Sequence, residues 1–524
     1  MGYVGSSQAV PGMLYGFDDI TSSSSLTWTP CFNDFKCTKL QVPLDYANPS
    51  LGTTDIAFIK RPGKNATFEA PNIVFTYGGP GGSGVELLLT GPHDQLGAMF
   101  GEQYNLVFFD PRGVNNSGLT LDCFSGNADA RAEFNDLHKT GITNTSTDSL
   151  QEQFYSSAIF AEWCENAMRK TSSPYAYYVT TPVVAHDLLS YIEAEARLGG
   201  TTRPEDAKLW TYGVSYGTVT GVTFATLFPN RVGRMVLDGI VDAEQYYDNV
   251  WLDNMDQTDA GVESFAETCH AAGADKCSFW GSSSAEILSR LGRLIEQLKN
   301  HPVPISGVDR AGSSSEHMAM VTQADIKMHI FEAMYDPLTS FPVMADVLHQ
   351  LEAGNATALT GTFASKAARR TDPGRQIICA DVTRRNRITT VEQYAEFVEA
   401  SVARSRYVGD VWPIELDGVL CSALKPELPD SMLMQASIGA IESPTAFPIM
   451  FTSNTIDPIS SLTAAKKATA KFKHSVLLQQ EGVGHTVIGM LGSLCYFHHV
   501  QDYFAGVLPP ANTTCPQEHT PFQM

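Results

Sequence analysis

Apolar and polar positions along this chain fall into two textures. The first is a series of short apolar runs that stop at glycine and proline, namely IAFIKRP (56–62), NIVFTYGGPGG (72–82) and YNLVFFDPRG (104–113). Each predicts a strand ending at a loop. Helical periodicity follows within 150–198, in FYSSAIFAEWCENAM and VVAHDLLSYIEAEARL. KLWTYGVSYGTVTGVTFATLF (208–228) then reads as strand, tight turn and helix, and MVLDGI (235–240) as another short buried strand. Strands alternating with helices predict an α/β architecture with a mostly parallel sheet covered on both faces.

The second texture occupies 243–440, where long helical patterns such as SAEILSRLGRLIEQLKN and VEQYAEFVEASVARS dominate and strand-like runs are few. The first texture returns at FPIMFTSNTIDP (447–458) and SVLLQQEGVGH (475–485), which predict the last two core strands, with a closing helix around 486–505. The predicted organisation is a lead-in (1–25), a first core part (26–242), an inserted helical cap or lid (243–440) and a second core part (441–524). No internal repeat and no low-complexity tract beyond short serine runs is visible.

Composition narrows the classes. With 524 residues, 43% of them hydrophobic, the chain can bury a large core in one large domain with an insertion or in two domains. A formal charge of −22 repels phosphate backbones and anionic surfaces, which argues against a nucleic-acid partner. Ten widely scattered cysteines without a CxxC pair fit structural disulfides in an oxidising compartment better than a zinc site. Neighbour-to-neighbour pairing is the simplest arrangement, with buried free thiols as the alternative. Sequons at Asn65, Asn115, Asn144, Asn355 and Asn512 favour a secreted or secretory-pathway protein, although the first residues carry no basic and apolar leader pattern. No stretch of about eighteen uncharged apolar residues is present to span a membrane.

The strongest chemical signal is Gly213-Val214-Ser215-Tyr216-Gly217, a G-x-S-x-G pentapeptide between a predicted strand and a predicted helix. Its glycines permit a strained turn that lifts the serine hydroxyl above the sheet edge. A serine needs a nearby imidazole to take its proton and a carboxylate to orient that imidazole. Asp457, just past the FPIMF strand, and His485, just past the next strand, supply both in the chain order Ser, Asp, His of the α/β-hydrolase fold. His186 and His270 lie in helical stretches, and His498 and His499 are adjacent on a predicted helix, so structural roles are expected for all four.

Acyl transfer also needs N–H donors aimed at a developing oxyanion. The loop Tyr77-Gly78-Gly79-Pro80-Gly81-Gly82-Ser83-Gly84 lacks the Lys-Ser/Thr ending of a phosphate loop and predicts instead that Gly79 N–H pairs with Tyr216 N–H as the oxyanion hole. Gly78, Pro80 and Gly81 would support that loop. Asp110-Pro111-Arg112-Gly113 is a further strand-end turn, where Arg112 either braces the glycine loop or lies at the surface.

Taken together, TPCFNDFKCTKLQVPLDYANP (29–49), YGGPGGSG (77–84), DPRG (110–113), GVSYG (213–217), ICAD (378–381), IDP (456–458) and GVGH (482–485) with Cys495 behind resemble the proline-iminopeptidase-like α/β-hydrolases, in particular their secreted tripeptidyl-aminopeptidase-like branch. The resemblance implies a core-plus-cap serine hydrolase that releases short units from peptide amino termini, with Ser215 as nucleophile, His485 as base and Asp457 as orienter. It implies no metal and no organic cofactor, and a peptide or small-molecule acyl substrate. In such enzymes cap acids commonly bind the substrate ammonium, and no acid of this cap aligns by motif. Two departures stand out: Tyr77 occupies the place where iminopeptidases usually carry histidine, and FTSNTIDP replaces a more apolar, glycine-containing strand end. They leave open an esterase, a lactonase or a biosynthetic enzyme acting on a small metabolite. A non-catalytic binding protein is a third alternative, against which the intact triad argues.

Overall fold

The computed structural model describes residues 12–124, 126–143, 145–171, 175–309, 316–363, 371–439 and 444–523. Its strands are β1 (Thr29–Cys31), β2 (Phe35–Pro43), β3 (Thr53–Arg61), β4 (Asn72–Thr76), β5 (Asn105–Phe109), β6 (Leu209–Val214), β7 (Val232–Asp238), β8 (Val303–Asp309), β9 (Glu316–Val321), β10 (Met450–Ile456), β11 (Val476–Val483) and β12 (Thr514–Cys515). All but β8 and β9 form one sheet in the order β1-β2-β3-β5-β4-β6-β7-β10-β11-β12, parallel from β5 through β12. That order places β4 between β5 and β6, so that Thr76 lies beside Gly213, and Thr452 of β10 lies beside Asp238 of β7. The carboxyl ends of β4, β6, β7, β10 and β11 therefore open on one edge, where α/β folds bind ligands. The chain has the fold of an α/β-hydrolase.

Strands β4 and β5 read as nearly continuous apolar runs because both faces of the sheet are covered there. Side chains of β4 and β5 alternate between two cores: Val74 and Val107 point into one, Phe75 and Phe108 into the other, where their rings stack 4.3 Å apart. Seven helices matter for the site: α1 (Gly84–Thr90), α2 (His93–Phe100), α3 (Thr181–Leu198), α4 (Tyr216–Leu227), α5 (Ala243–Tyr247), α6 (Asp372–Val382) and α7 (Leu494–Phe504). Helix α4 is buried all round from Tyr216 to Thr226, which accounts for its lack of any charged residue. A Cβ on Gly217 would stand 2.0 Å from the Thr76 carbonyl oxygen, so only glycine lets this helix seat against β4.

Three sequence expectations shift. The closing helix α7 begins at Leu494 rather than near 486, because Ser493 caps it by accepting from Tyr496 N–H and the preceding residues form a loop tied to the sheet. Residues 303–321 contain an antiparallel pair, β8 and β9, in the otherwise helical block; Pro304 and Gly307 had disguised its strand pattern. A short strand, β12, follows the closing helix at the sheet edge. The ten cysteines pair neighbour to neighbour as Cys31–Cys37, Cys123–Cys164, Cys269–Cys277, Cys379–Cys421 and Cys495–Cys515. Among the sequons, Asn65, Asn115, Asn355 and Asn512 are exposed, and Asn144 lies outside the described residues. No described helix is long and apolar enough to cross a membrane.

Candidate active site

Ser215 sits between the end of β6 and the start of α4 with φ 55° and ψ −126°. A non-glycine residue held there stores on the order of 1–3 kcal/mol, which the surrounding structure must offset. The backbone is fixed by Ser215 N–H donating to the Asp238 carbonyl and by the Ser215 carbonyl accepting from Thr218 N–H and from the Thr218 hydroxyl. Helix α4 starts immediately after the serine, so Tyr216 N–H belongs to the first turn, which has no intrahelical acceptor.

His485 lies two residues past β11, and its Nδ1 is 3.3 Å from each oxygen of the fully buried Asp457. Asp457 Oδ1 accepts from Ile459 N–H and Ser460 N–H at 3.0 and 2.8 Å, and Oδ2 from the Ser460 hydroxyl and Thr486 N–H at 2.9 and 3.1 Å. With Nδ1–H turned to this carboxylate, Nε2 is left as the acceptor, and among the described residues it has no hydrogen-bond partner. Nε2 and Ser215 Oγ are not joined by a hydrogen bond. Both side chains line the same cavity, and such contacts often tighten only when substrate is bound.

That cavity, about 550 Å³, is walled by Phe75, Leu87, Leu96, Phe108, Ile488 and Leu491. Gly78 and Gly79 form its rim, and a Cβ on Gly78 would come within 3.1 Å of Ser215 Cβ. Pro80 and Gly81 pack on the first turn of α6. Tyr77 lines the cavity, and burial pushes its hydroxyl pKa up. The four other histidines singled out by sequence stand elsewhere. His186 stacks on Tyr46, His270 Nδ1 bonds the Gly281 carbonyl, and His498 and His499 ride on α7.

Arg112 requires a correction. It neither touches the glycine loop nor lies at the surface: it is fully buried, paired through Nε and Nη2 with Asp187 of α3 at 2.6 and 2.7 Å, and it donates to the carbonyls of Leu44, Pro43 and Tyr178. The DPRG turn braces the glycine loop through Asp110 instead, whose Oδ1 accepts from the Ser83 hydroxyl and Val85 N–H. Five donors in a rigid fork suit Arg112 to an enclosed carboxylate, and nothing local in the sequence names Asp187 as its partner.

Several residues at the site carry no sequence motif. Asn454 Nδ2 donates to the carbonyls of Gly484 and Thr486, both at 2.9 Å, clasping His485 from either side; this is the work of the polar FTSNTIDP strand end. Asp238 Oδ1 and Oδ2 accept from Val487 N–H and Ile488 N–H, and burial pushes its carboxyl pKa up. Tyr335, from the helical block, accepts from His485 N–H at its carbonyl and sets its ring edge-on to the imidazole at 5.4 Å.

Farther in, Asp381 accepts from Thr181 N–H at 2.7 Å and from the hydroxyls of Thr181 and Tyr246 at 2.6 Å each. Burial, outweighing these three donors, pushes its carboxyl up to about 7 from 3.8. Because the folded pKa is the higher one, the native chain holds more protons than the unfolded chain between these values. The associated stability is complete below about 4 and lost as pH rises through about 7, on the order of 4 kcal/mol over the whole span. Asp381→Asn does not titrate there. Its Tm relative to wild type is expected to rise between pH 5 and pH 8, as thermal melts at the two pH values would show; a constant difference contradicts the buried ionisation.

Residues 413–515, which include Asp457 and His485, match the family model for TAP-like protein. Serine protease Hip1 of Mycobacterium tuberculosis (strain H37Rv) is 27% identical over 513 residues, covering 93% of this chain and 90% of that one. Tripeptidyl aminopeptidase of Streptomyces lividans is 30% identical over 244 residues, 45% of this chain and 41% of that one. Carboxylesterase B of Mycobacterium tuberculosis (strain CDC 1551) is 24% identical over 504 residues, covering 92% and 86%. Strand order, the strained serine turn and these similarities together make the chain a serine hydrolase of the α/β-hydrolase fold, with residues 413–515 similar to TAP-like protein.

Proposed function

We propose that this serine hydrolase is a peptidase that releases short units from peptide amino termini through an acyl-enzyme on Ser215. The observation that carries the chemistry is the meeting of Ser215, at its strained turn, with the Asp457-paired His485 in one cavity rimmed by the glycine loop. His485 Nε2 takes the Ser215 proton as Oγ attacks the carbonyl carbon, and then gives it to the leaving amine. Gly79 N–H and Tyr216 N–H stabilise the tetrahedral oxyanion, and water attacks the acyl-enzyme by the reverse path. The amino-terminal preference rests on the similarity to a tripeptidyl aminopeptidase. Residues 243–440, which place Tyr335 over His485, act as the cap that limits access. Five disulfides and exposed sequons support a secretory-pathway location.

A second reading is favoured by the cavity wall itself, which is mostly apolar and among the described residues includes no Asp or Glu to hold a free ammonium, and by the likeness to a carboxylesterase. Mass-spectrometric product analysis of free-amine and acetylated peptide libraries, with an ester panel beside them, separates the two. Amine-dependent fragments from wild type that vanish in Ser215→Ala are the expected result. Equal cleavage of both libraries overturns the exopeptidase, and ester turnover without peptide products establishes the esterase.

A further inference from the structure

Helix α6 packs on the glycine loop at one end and at the other is linked to Tyr216 through Thr181. Its first turn packs on the glycine loop so closely that a Cβ on Gly374 would stand 2.5 Å from the Pro80 carbonyl oxygen, and a Cβ on Gly81 would stand 2.5 Å from Gly374 N. Asp372, at the same end, is held by Arg131 and accepts from Cys123 N–H. In the middle, Arg375 bonds Asp417, Gln376 donates to the Leu121 carbonyl, and Cys379 is bridged to Cys421. Asp381 occupies the far end. Its Oδ2 accepts from the Thr181 hydroxyl of α3, and Thr181 Oγ1 lies 2.6 Å from the hydroxyl of Tyr216, the residue next to Ser215. Tyr216 is buried, so this hydroxyl has its partners inside the protein.

We infer that Asp381, the acid of the ICAD segment, is a positioning residue for the nucleophile turn, holding Tyr216 by its side chain through Thr181 so that Tyr216 N–H keeps its place opposite Gly79. This rests on Ser215 being the nucleophile. While Asp381 is ionised it can only accept, so Thr181 donates to it and a lone pair of Thr181 Oγ1 accepts from the Tyr216 hydroxyl. Thr181 N–H and the Tyr246 hydroxyl fill the rest of the carboxylate, with Tyr247 nearby. One rigid helix thus seats the glycine loop at its first turn and Tyr216 at its last. The two oxyanion donors, which come from loops 137 residues apart in sequence (79 to 216), acquire a common support. A relay of this kind is sensitive because small errors in donor placement are costly in the transition state.

The test is the second-order rate at which a fluorophosphonate labels Ser215, corrected for the folded fraction seen in thermal melts. Thr181→Val keeps the shape and removes the hydroxyl, Thr181→Ser keeps the hydroxyl, Tyr216→Phe removes the far end of the relay, and Asp381→Asn removes its acceptor charge. Folded Thr181→Val, Tyr216→Phe and Asp381→Asn are expected to label about 10- to 100-fold more slowly, with Thr181→Ser close to wild type. A residue that merely stabilises the fold would lower Tm and leave the labelling of folded molecules unchanged. Wild-type labelling rates in folded Thr181→Val and Tyr216→Phe overturn the inference; if Thr181→Val does not fold, Tyr216→Phe alone decides it. Ser215→Ala serves as the control, since persistent labelling there condemns the nucleophile assignment and not the relay.

Discussion

Ser215→Ala is expected to lower turnover by about 10⁴- to 10⁶-fold on any substrate the wild type cleaves, while the protein remains folded. The glycine loop and Tyr216 N–H stay in place in this variant, so substrate binding and oxyanion stabilisation persist, and the residual rate is that of water attacking a polarised carbonyl. Stability should change little, because alanine at φ 55° is as strained as serine. Ser215→Gly makes the complementary point. It removes the same hydroxyl but relieves the turn, and its Tm should exceed that of Ser215→Ala. Intact-mass analysis after fluorophosphonate treatment, together with initial rates and melts of the three proteins, measures all of this. Turnover by Ser215→Ala within tenfold of wild type would remove Ser215 from the chemistry.

What the sequence disclosed follows from where its information is local. Strands β4, β5 and β7 were legible because a parallel sheet buried on both faces demands largely apolar runs, whereas β6, β10 and β11, which carry polar residues, were marked by their apolar starts and by the glycine or aspartate turns that follow. The candidate residues Ser215, Asp457 and His485 follow from the same signal: each stands just past the carboxyl end of one of these strands, and the strand order brings those ends to one edge. The pair β8 and β9 was not legible, since Pro304 and Gly307 break the alternation of β8 and leave β9 without a visible partner. The start of α7 was displaced because 486–493 is held by tertiary bonds, Asp238 to Val487 and Ile488 among them, that leave no periodic trace.

The supporting residues show the same limit more sharply. Asn454 reaches Gly484 across 30 positions, Asp381 reaches Thr181 across 200, and Arg112 reaches Asp187 across 75. None of these partners is marked by spacing or composition. The polar strand end FTSNTIDP was visible only as a departure from an apolar pattern, and the clasp on His485 is its physical content. A local break in an otherwise regular pattern at a strand end was therefore the available signal for Asn454.

Asp457→Asn is expected to cost about 10⁴-fold in turnover with little change in fold, and Ser460→Ala far less. The difference follows from counting donors. Asp457 Oδ1 accepts two N–H groups, from Ile459 and Ser460, so an asparagine must place its carbonyl oxygen there. Its amide nitrogen then takes the Oδ2 position, facing Thr486 N–H and His485 Nδ1, where the carboxylate had been an acceptor. A donor opposite Nδ1–H drives the imidazole to the other tautomer, with its proton on Nε2 facing Ser215 and no lone pair to receive the serine proton. Ser460→Ala removes only a hydroxyl that bonds Asp457 Oδ2 at 2.9 Å and lies 3.1 Å from His485 Nδ1, and it leaves the carboxylate directly opposed to the ring. The ordering is read from kcat of both variants on one substrate, with Ser215 labelling as a second measure. If Ser460→Ala falls as far as Asp457→Asn, the hydroxyl rather than the carboxylate sets the tautomer, and the 3.3 Å contacts between Asp457 and His485 are not the orienting ones.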